Sequence, residues 1–347
     1  MVVPYGNSDS PHQRKHPFDV GEYGSGLMTN SLKLGWDCKS AIHYLDAVMT
    51  TSKGKPAMTK NAIYIHEEDN GLLYKHTDFR NGSKLEIKLT GMLNLYCMHP
   101  SELAAPYGTE VTPELSAHNH QYIFSLRVDP EIDGPNNSVL QSDALPAEQP
   151  VEPRENPFGN RFYCKKTPLR TAQEGAAVYR HGTSRAWDII NPSSINASTK
   201  KPVGYEIISP NWPLLLAQPG SMVYKRAAFA HKSDYVCQST GAENYPHNQT
   251  IVDWVARNES IENTDVVYYV QFGLTHVLRT EDFTIMPAEP VSVMLRAPNF
   301  FSKNPGLWIP PSSVSIDRTS RGAFCANRGG EKLCQAVKDG ARWAVRL

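Results

Sequence analysis

The sequence predicts an all-β protein built as a large antiparallel β-sandwich with a few short helices. Three observations support this class. Short segments of alternating apolar and polar residues recur along the chain, Pro, Gly and Asn separate them, and no period of about 20–50 residues repeats. Such spacing is typical of a sandwich, whereas a repeat would indicate a propeller or a solenoid.

Strands are expected in both halves of the chain. In the first half, residues 41–48 and 61–66 alternate on either side of a turn at residues 52–56. Residues 85–97 alternate well enough for one long strand, and residues 100–117 are expected to form a loop. The later predicted strands are residues 138–145, 160–169, 186–191, 204–209, 222–231 and 265–273.

Helical signals are few. Residues 251–257 predict the one short helix of the second half. Residues 320–347 combine basic side chains with apolar residues at roughly helical spacing, so we expect a surface helix or a disordered tail there. The strand at 265–273 is apolar and is expected to deliver His276 just beyond its end.

Composition excludes several classes of protein. The chain has 347 residues, with 35 basic and 35 acidic side chains, and no dense Lys/Arg block indicates a nucleic-acid or membrane surface. No apolar run approaches the roughly 18 residues that a membrane span requires. The 6 cysteines lack C-x-x-C spacing, which argues against zinc and gives no disulfide framework.

The stretch from residue 117 to residue 134 carries the candidate metal ligands. Alternate side chains of a strand share one face, so His118, His120 and Tyr122 are expected to point the same way. Two imidazoles at this spacing can share one metal ion if a third ligand comes from elsewhere, although such pairs also occur without a metal. Carboxylates at 129, 131 and 133 repeat the spacing and suit a calcium-like cation.

The same stretch resembles the copper-binding strand of the copper-dependent primary amine oxidases, whose pattern is N-H-Q-H followed by an arginine-led acidic run. Here it is Asn119-His120-Gln121-Tyr122, followed by Arg127. The resemblance covers residues 1–311, which are expected to form the family's catalytic β-sandwich domain, and leaves residues 312–347 as a basic tail. Other collinear blocks lie at residues 1–6, 18–23, 66–69, 75–78, 85–91, 202–205, 273–276 and 298–301.

The resemblance implies a function and a set of partners. The family oxidises primary amines with O2 to aldehyde, ammonia and hydrogen peroxide, uses copper and a topaquinone made from a tyrosine, and forms homodimers. Asp19 matches the catalytic base, and Tyr5 matches the tyrosine that hydrogen-bonds the cofactor. No nucleic acid and no membrane span is expected.

The resemblance also implies two metal sites. His120 and His276 match copper ligands, whereas Tyr122 stands where the family has its middle copper histidine. A phenolate can bind Cu(II), and His118 is an alternative donor one strand repeat away. Asp129 and Asp265 match a second, calcium-type site.

One segment of the family pattern is missing. Arg80 runs directly into Asn81, where the family has a strand-turn-strand unit, on the order of twenty residues or more, that carries the quinone-precursor tyrosine. We therefore expect a chain that does not turn over amines, through either an incomplete gene product or a real loss. The alternative is a degenerate, non-enzymatic binding or dimer-partner protein.

The compartment stays open between the peroxisome and secretion. The final Val345-Arg346-Leu347 is a near miss to the peroxisomal tripeptide S-K-L. Secretion would allow glycosylation at N-x-S/T sequons, which are common by chance. These sequons begin at Asn81, Asn136, Asn196, Asn248 and Asn258.

Overall fold

The computed structural model of the chain describes residues 3–4, 18–19, 42–50, 55–66, 82–151, 154–239 and 249–303. These residues form mainly antiparallel strands with two short α-helices, α1 (Met222–Arg226) and α2 (Ile251–Ala256). The predicted all-β class is confirmed. The strands are β1 (Val3–Pro4), β2 (Phe18–Asp19), β3 (Ile42–Thr50), β4 (Pro56–His66), β5 (Gly82–Gly91), β6 (Leu95–Cys97), β7 (Gly108–Thr112), β8 (Leu115–His118), β9 (His120–Val128), β10 (Ser138–Pro146), β11 (Phe162–Leu169), β12 (Ala186–Ile195), β13 (Pro202–Ile208), β14 (Asp234–Gln238), β15 (Val266–His276) and β16 (Met286–Arg296).

The largest sheet has six strands in the order β11-β10-β12-β13-β16-β5, with antiparallel neighbours. Its inner face shows the period of two that the pleat imposes: Val291 and Val293 of β16 are buried on either side of the partly exposed Ser292. On β12, Trp187 and Ile189 are fully buried. This face supplies one half of the core.

A second sheet, β14-β15-β9, supplies the other half and carries the candidate site. Its central strand β15 is buried on both faces over most of its length, which explains its continuous apolar sequence. Val266 and Phe272 of this strand belong to the same hydrophobic cluster as Trp187 and Val293 of the six-stranded sheet. The two sheets therefore share one core, as expected for a sandwich.

Two predicted elements of the first half are wrong. The single strand at 85–97 is divided into β5 and β6, because the backbone at Gly91 takes φ of 122° and turns the chain out of the ladder. The predicted loop at 100–117 contains β7 and β8, which pair with each other in a three-stranded sheet. The predicted hairpin of β3 and β4 is confirmed.

Two elements of the second half also differ from expectation. Residues 222–231 form α1 and a 3-10 turn rather than a strand, and the Ser221 side chain caps α1 by accepting from the backbone N–H of Tyr224. The predicted strand at 265–273 runs on through His276, which is the last residue of β15 and does not lie beyond it. The predicted helix at 251–257 is confirmed as α2.

A buried carboxyl lies at the edge of the second sheet. Asp234, the first residue of β14, and Tyr268 of β15 are both fully buried. Burial raises the pKa of both side chains well above their ordinary values. In the part of the chain that the structure describes, no helix combines the length and the apolarity that crossing a bilayer requires.

We predict that Gly273→Ala will destabilise the second sheet strongly. Gly273 has φ of 156°, and a Cβ atom there would overlap the backbone carbonyl oxygen of Tyr122 on β9. We expect a loss at or above the top of the usual range of about 0.5–3 kcal/mol in the free energy of unfolding by urea. Gly182→Ala is the control, since a Cβ there has no atom within 4 Å, and it should change stability by less than about 0.5 kcal/mol. Equal losses in the two variants would contradict the steric argument.

Candidate metal centre

The chain changes sheets within the predicted metal strand. β8 ends at His118 and pairs with β6 and β7, whereas β9 begins at His120 and pairs with β15. The expectation of a single strand that presents His118, His120 and Tyr122 on one face is therefore wrong at Asn119, where the ladder breaks. The His118 ring stacks on Tyr96, with centroids 4.4 Å apart. His118 thus occupies a different environment from His120.

His120 and His276 meet across the β9–β15 ladder. They are direct register partners, although 156 positions separate them in the chain. His120 Nε2 lies 3.3 Å from His276 Nδ1, and the two rings cross at 84°. The side chains are 6% and 3% exposed. The structure therefore brings these two predicted ligands together in a buried site.

The outer ring nitrogens of this pair fix the positions of the protons. His120 Nδ1 lies 2.9 Å from the backbone oxygen of His118, which can only accept, so Nδ1 carries the proton. His276 Nε2 lies 3.0 Å from a carboxylate oxygen of Asp282 and donates to it for the same reason. In neutral imidazoles the lone pairs then lie on His120 Nε2 and His276 Nδ1, the two atoms that face each other.

This arrangement has the dimensions of a two-imidazole metal site. Imidazole nitrogens bind divalent metals such as zinc at about 2 Å, so two ligands of one ion lie at most about 4 Å apart. The observed separation of 3.3 Å is within that limit. Burial lowers the pKa of His120 from 6.5 to about 4, so this ring stays neutral and able to ligate at ordinary pH. The two inner nitrogens are also within hydrogen-bond distance of each other, so a proton or a metal ion can occupy the space between them.

Asp282 orients His276 and was not identified from the sequence. It is fully buried in a 3-10 turn at Thr280–Asp282, and it also accepts from the backbone N–H and the guanidinium of Arg279. Burial alone would raise the pKa of Asp282, but these hydrogen bonds and the one from His276 outweigh it and hold the pKa below its ordinary value. The sequence held one signal for this residue: a carboxylate that follows a candidate ligand histidine after 6 positions and could orient it.

Tyr122 lies beside the imidazole pair. Its ring meets the edge of His120 with centroids 4.9 Å apart, and its register partner on β15 is Leu274. Among the described residues, no group of three or more His, Cys, Asp and Glu side chains gathers around one point. Within that part of the chain, Tyr122 contacts His120, and His120 in turn contacts His276.

The acidic candidates lie at the far end of the same ladder. Asp129 follows β9 directly and Asp265 precedes β15, and the register pairs Val128 with Tyr268 between them. Both acidic residues are exposed. Asp129 forms an ion pair of 3.0 Å with Arg127. The two residues are thus placed at one end of the sheet, and no third His, Cys, Asp or Glu side chain joins them within the described ranges.

The two predicted catalytic residues are described only in part. Tyr5 lies outside the described residues. Asp19 is in β2, where it pairs with Val3 of β1, and β1 lies against β9. The backbone that carries Asp19 is therefore close to the strand that carries His120.

Comparisons with known proteins identify the family of this arrangement. The family model "Copper amine oxidase, enzyme domain" matches residues 1–87 and 82–315. The chain is 42% identical to the peroxisomal primary amine oxidase of Pichia angusta over 93% of its own length and 56% of that protein, and 41% identical to copper amine oxidase 1 of Schizosaccharomyces pombe over 90% and 51%. It superposes on the crystal structure of a copper-containing benzylamine oxidase from Hansenula polymorpha with a TM-score of 0.74 at 31% identity, covering 89% of this chain and 55% of that one. The chain thus spans about half the length of the curated relatives it matches.

The comparisons also contain a discontinuity. The two segments of the family match meet at residues 82–87. The aligned region with the Pichia angusta protein is 385 residues long, longer than the 347 residues of this chain, so that protein has residues within it that have no counterpart here. Both observations support the prediction that a family segment is missing beside residue 81.

We predict that part of the stability of the metal-free protein depends on His120 remaining neutral. Because the folded-state pKa is about 4 and the ordinary value is 6.5, stability is fully present above pH 6.5 and is lost as the pH falls towards 4. The loss should reach about 3 kcal/mol, at roughly 1.4 kcal/mol per pKa unit. Urea unfolding with a chelator, at pH 7 and pH 4, measures it.

The matched variants for this test are His120→Gln and His181→Gln, which replace a buried and an exposed histidine. The pH dependence should shrink in the first variant and persist in the second. An unchanged pH dependence in His120→Gln would contradict the assignment.

Proposed function

Because the chain belongs to the copper amine oxidase family, we propose that it is a copper-binding member of the family in which oxidation of primary amines is impaired. The observation that carries the proposal is the buried approach of His120 Nε2 and His276 Nδ1 to 3.3 Å, with both outer ring nitrogens engaged by acceptors. We further propose that residues 1–311 form the catalytic-type sandwich and residues 312–347 a separate basic tail. The family match through residue 315 supports this boundary to within a few residues.

The copper ligands in this proposal are His120 Nε2, His276 Nδ1 and the Tyr122 oxygen. Asp282 holds the proton of His276 on the outer nitrogen, and the His118 carbonyl does the same for His120. Both contacts keep the inner nitrogens available to the metal. Recruitment of His118 instead of Tyr122 would require that ring to leave its stack on Tyr96. When bound, copper would supply redox chemistry with O2.

The topaquinone cofactor does not fit this chain, since the segment expected to carry its tyrosine precursor is the one missing beside Asn81. A carboxylate cannot remove a proton from carbon unless the resulting charge can delocalise, and in this family the quinone is the electron sink. A general base such as Asp19 contributes about 10²–10⁴-fold and cannot replace the sink. With Tyr5 and Asp19 kept but no quinone, amine oxidation stops before the proton transfer.

Three finer assignments belong to the same proposal. Asp129 and Asp265 would form a calcium-type site, which their position at one end of the β9–β15 ladder supports. The chain would form a homodimer, and the degenerate alternative is a non-enzymatic dimer partner of an active oxidase. Primary amine and O2 would be the substrates of a complete version of the chain that contains the segment missing beside Asn81.

We propose the peroxisome as the compartment, supported by relatives named as peroxisomal in Pichia angusta and Nicotiana tabacum.

One of the five sequons is also unsuitable for glycosylation in the folded chain. The Asn196 amide is buried, donates to the backbone oxygen of Asn299 at 2.6 Å and accepts from Ser198 N–H. The exposed Asn136 and Asn258 do not share this constraint.

We predict that the purified chain binds one Cu(II) ion through the imidazole pair. Equilibrium dialysis should show one ion per chain, and His120→Ala or His276→Ala should remove it. Tyr122→His should tighten binding by more than the roughly 10–100-fold that an outer-shell partner contributes, because it supplies a third imidazole. Tyr122→Phe should weaken binding. Full copper occupancy in both alanine variants would overturn the proposed site.

We predict that the copper-loaded chain neither stains as a quinoprotein nor releases hydrogen peroxide from a simple primary amine in air. The reason is the missing electron sink rather than missing copper, so Tyr122→His should bind more copper and still produce no peroxide. A visible quinone absorbance together with peroxide release by the unmodified chain would show that the predicted inactivity is wrong, while copper binding would remain a separate result.

A further inference from the structure

Gln121 lies between the proposed ligands His120 and Tyr122 in the sequence and is buried, with 4% of its surface exposed. It follows His120 directly on β9, so its side chain points to the opposite face of the strand. Its amide Nε2 donates to the hydroxyl of Thr275 at 2.9 Å and to the backbone oxygen of Leu214 at 3.0 Å. Its Oε1 accepts from the backbone N–H of Leu216 at 3.0 Å. All of its polar atoms are therefore engaged.

These hydrogen bonds join the ladder at the ligand register. The register pairs Gln121 with Thr275 immediately beside the pair of His120 and His276. His120 is the first residue of β9, and His276 is the last residue of β15. The ends of strands open most readily, so both imidazoles are attached where the ladder is weakest. The side-chain hydrogen bond between Gln121 and Thr275, the next register pair, holds this end of the ladder closed.

The same amide attaches the ladder to a loop that is itself anchored. The backbone N–H of Leu215, between the two residues that Gln121 binds, donates to the oxygen of Ala230 at 2.9 Å. The Leu215 side chain packs against Ile123, Ala227 and Ala230 in a small buried cluster. The anchored loop thus holds the Gln121 side chain in place on the face of β9 opposite to the imidazoles.

We propose that Gln121 is a positioning residue of the copper site: it fixes the relative placement of the His120 and His276 imidazoles by closing the ladder next to them. This inference rests on the proposed function, since it assigns a role towards the same copper ion. Gln121 touches neither the metal ligands' ring nitrogens nor a substrate. Its effect acts through the backbone of β9 and β15.

The test uses three variants of the full chain. Gln121→Leu removes all three hydrogen bonds at similar volume, and Thr275→Val removes only the bond across the ladder. Asn191→Leu is the matched control, because Asn191 is a buried amide on β12 that also fastens backbone groups, with Nδ2 2.7 Å from the oxygen of Ile132 and Oδ1 2.8 Å from Ser193 N. Both leucine variants should lose stability, since each leaves backbone groups without their partner.

Three measurements separate a positioning role from a merely structural one. Cu(II) dissociation constants should rise about 10–100-fold in Gln121→Leu, rise less in Thr275→Val and stay unchanged in Asn191→Leu. The EPR spectrum of bound Cu(II) should change in Gln121→Leu and not in the control. In metal-free protein, hydrogen exchange of the backbone amides at His120 and His276 should accelerate in Gln121→Leu, accelerate less in Thr275→Val and stay unchanged in Asn191→Leu.

The outcomes distinguish this inference from the proposed function. Unchanged copper affinity and EPR spectrum in Gln121→Leu, with normal binding by the unmodified chain, would overturn the role of Gln121 and leave the copper site standing. Equal effects in Gln121→Leu and Asn191→Leu would also overturn it, because they would reduce the role to general stability. An unmodified chain that binds no copper would overturn both.

Discussion

The site depends on two imidazole nitrogens, His120 Nε2 and His276 Nδ1, that face each other at 3.3 Å inside the protein. Each outer nitrogen is committed to an acceptor, the His118 carbonyl on one side and the Asp282 carboxylate on the other. Turning either outer proton inward would cost a buried hydrogen bond. The antiparallel register of β9 and β15 places the two inner nitrogens opposite each other, and we propose that a copper ion binds between them.

In the proposed function, the fold and the oxidation of amines depend on different segments of the chain. The core forms between the six-stranded sheet and β14-β15-β9, through residues such as Trp187 and Phe272, all of which lie after the discontinuity at residues 82–87. We propose that the electron sink of the family belongs to the segment missing beside Asn81. On this proposal, the loss leaves the sandwich and the imidazole pair in place and removes the group on which amine oxidation depends.

The sequence predicted what depends on local pattern, namely the β3–β4 hairpin and α2. The family resemblance named His120 and His276, which are register partners in the structure, and their binding of copper stays a prediction. The prediction of secondary structure failed where a long-range contact or a helix cap determines which element forms. Residues 222–231 alternate like a strand, yet Ser221 caps a helix there, and residues 100–117 contain β7 and β8, which pair with each other and, through β8, with β6. Asp282 and Gln121 could not be assigned roles from spacing alone, because their partners follow from how β9, β15 and the 211–217 loop pack together.

The central claim is that both inner imidazole nitrogens bind the same copper ion. Pulsed EPR of the Cu(II)-loaded chain counts the imidazoles coupled to the metal through their remote nitrogens. The present account predicts two coupled imidazoles in the unmodified chain and one in either His120→Ala or His276→Ala under forced copper loading. A single coupled imidazole, or a spectrum unaffected by both substitutions, would contradict it.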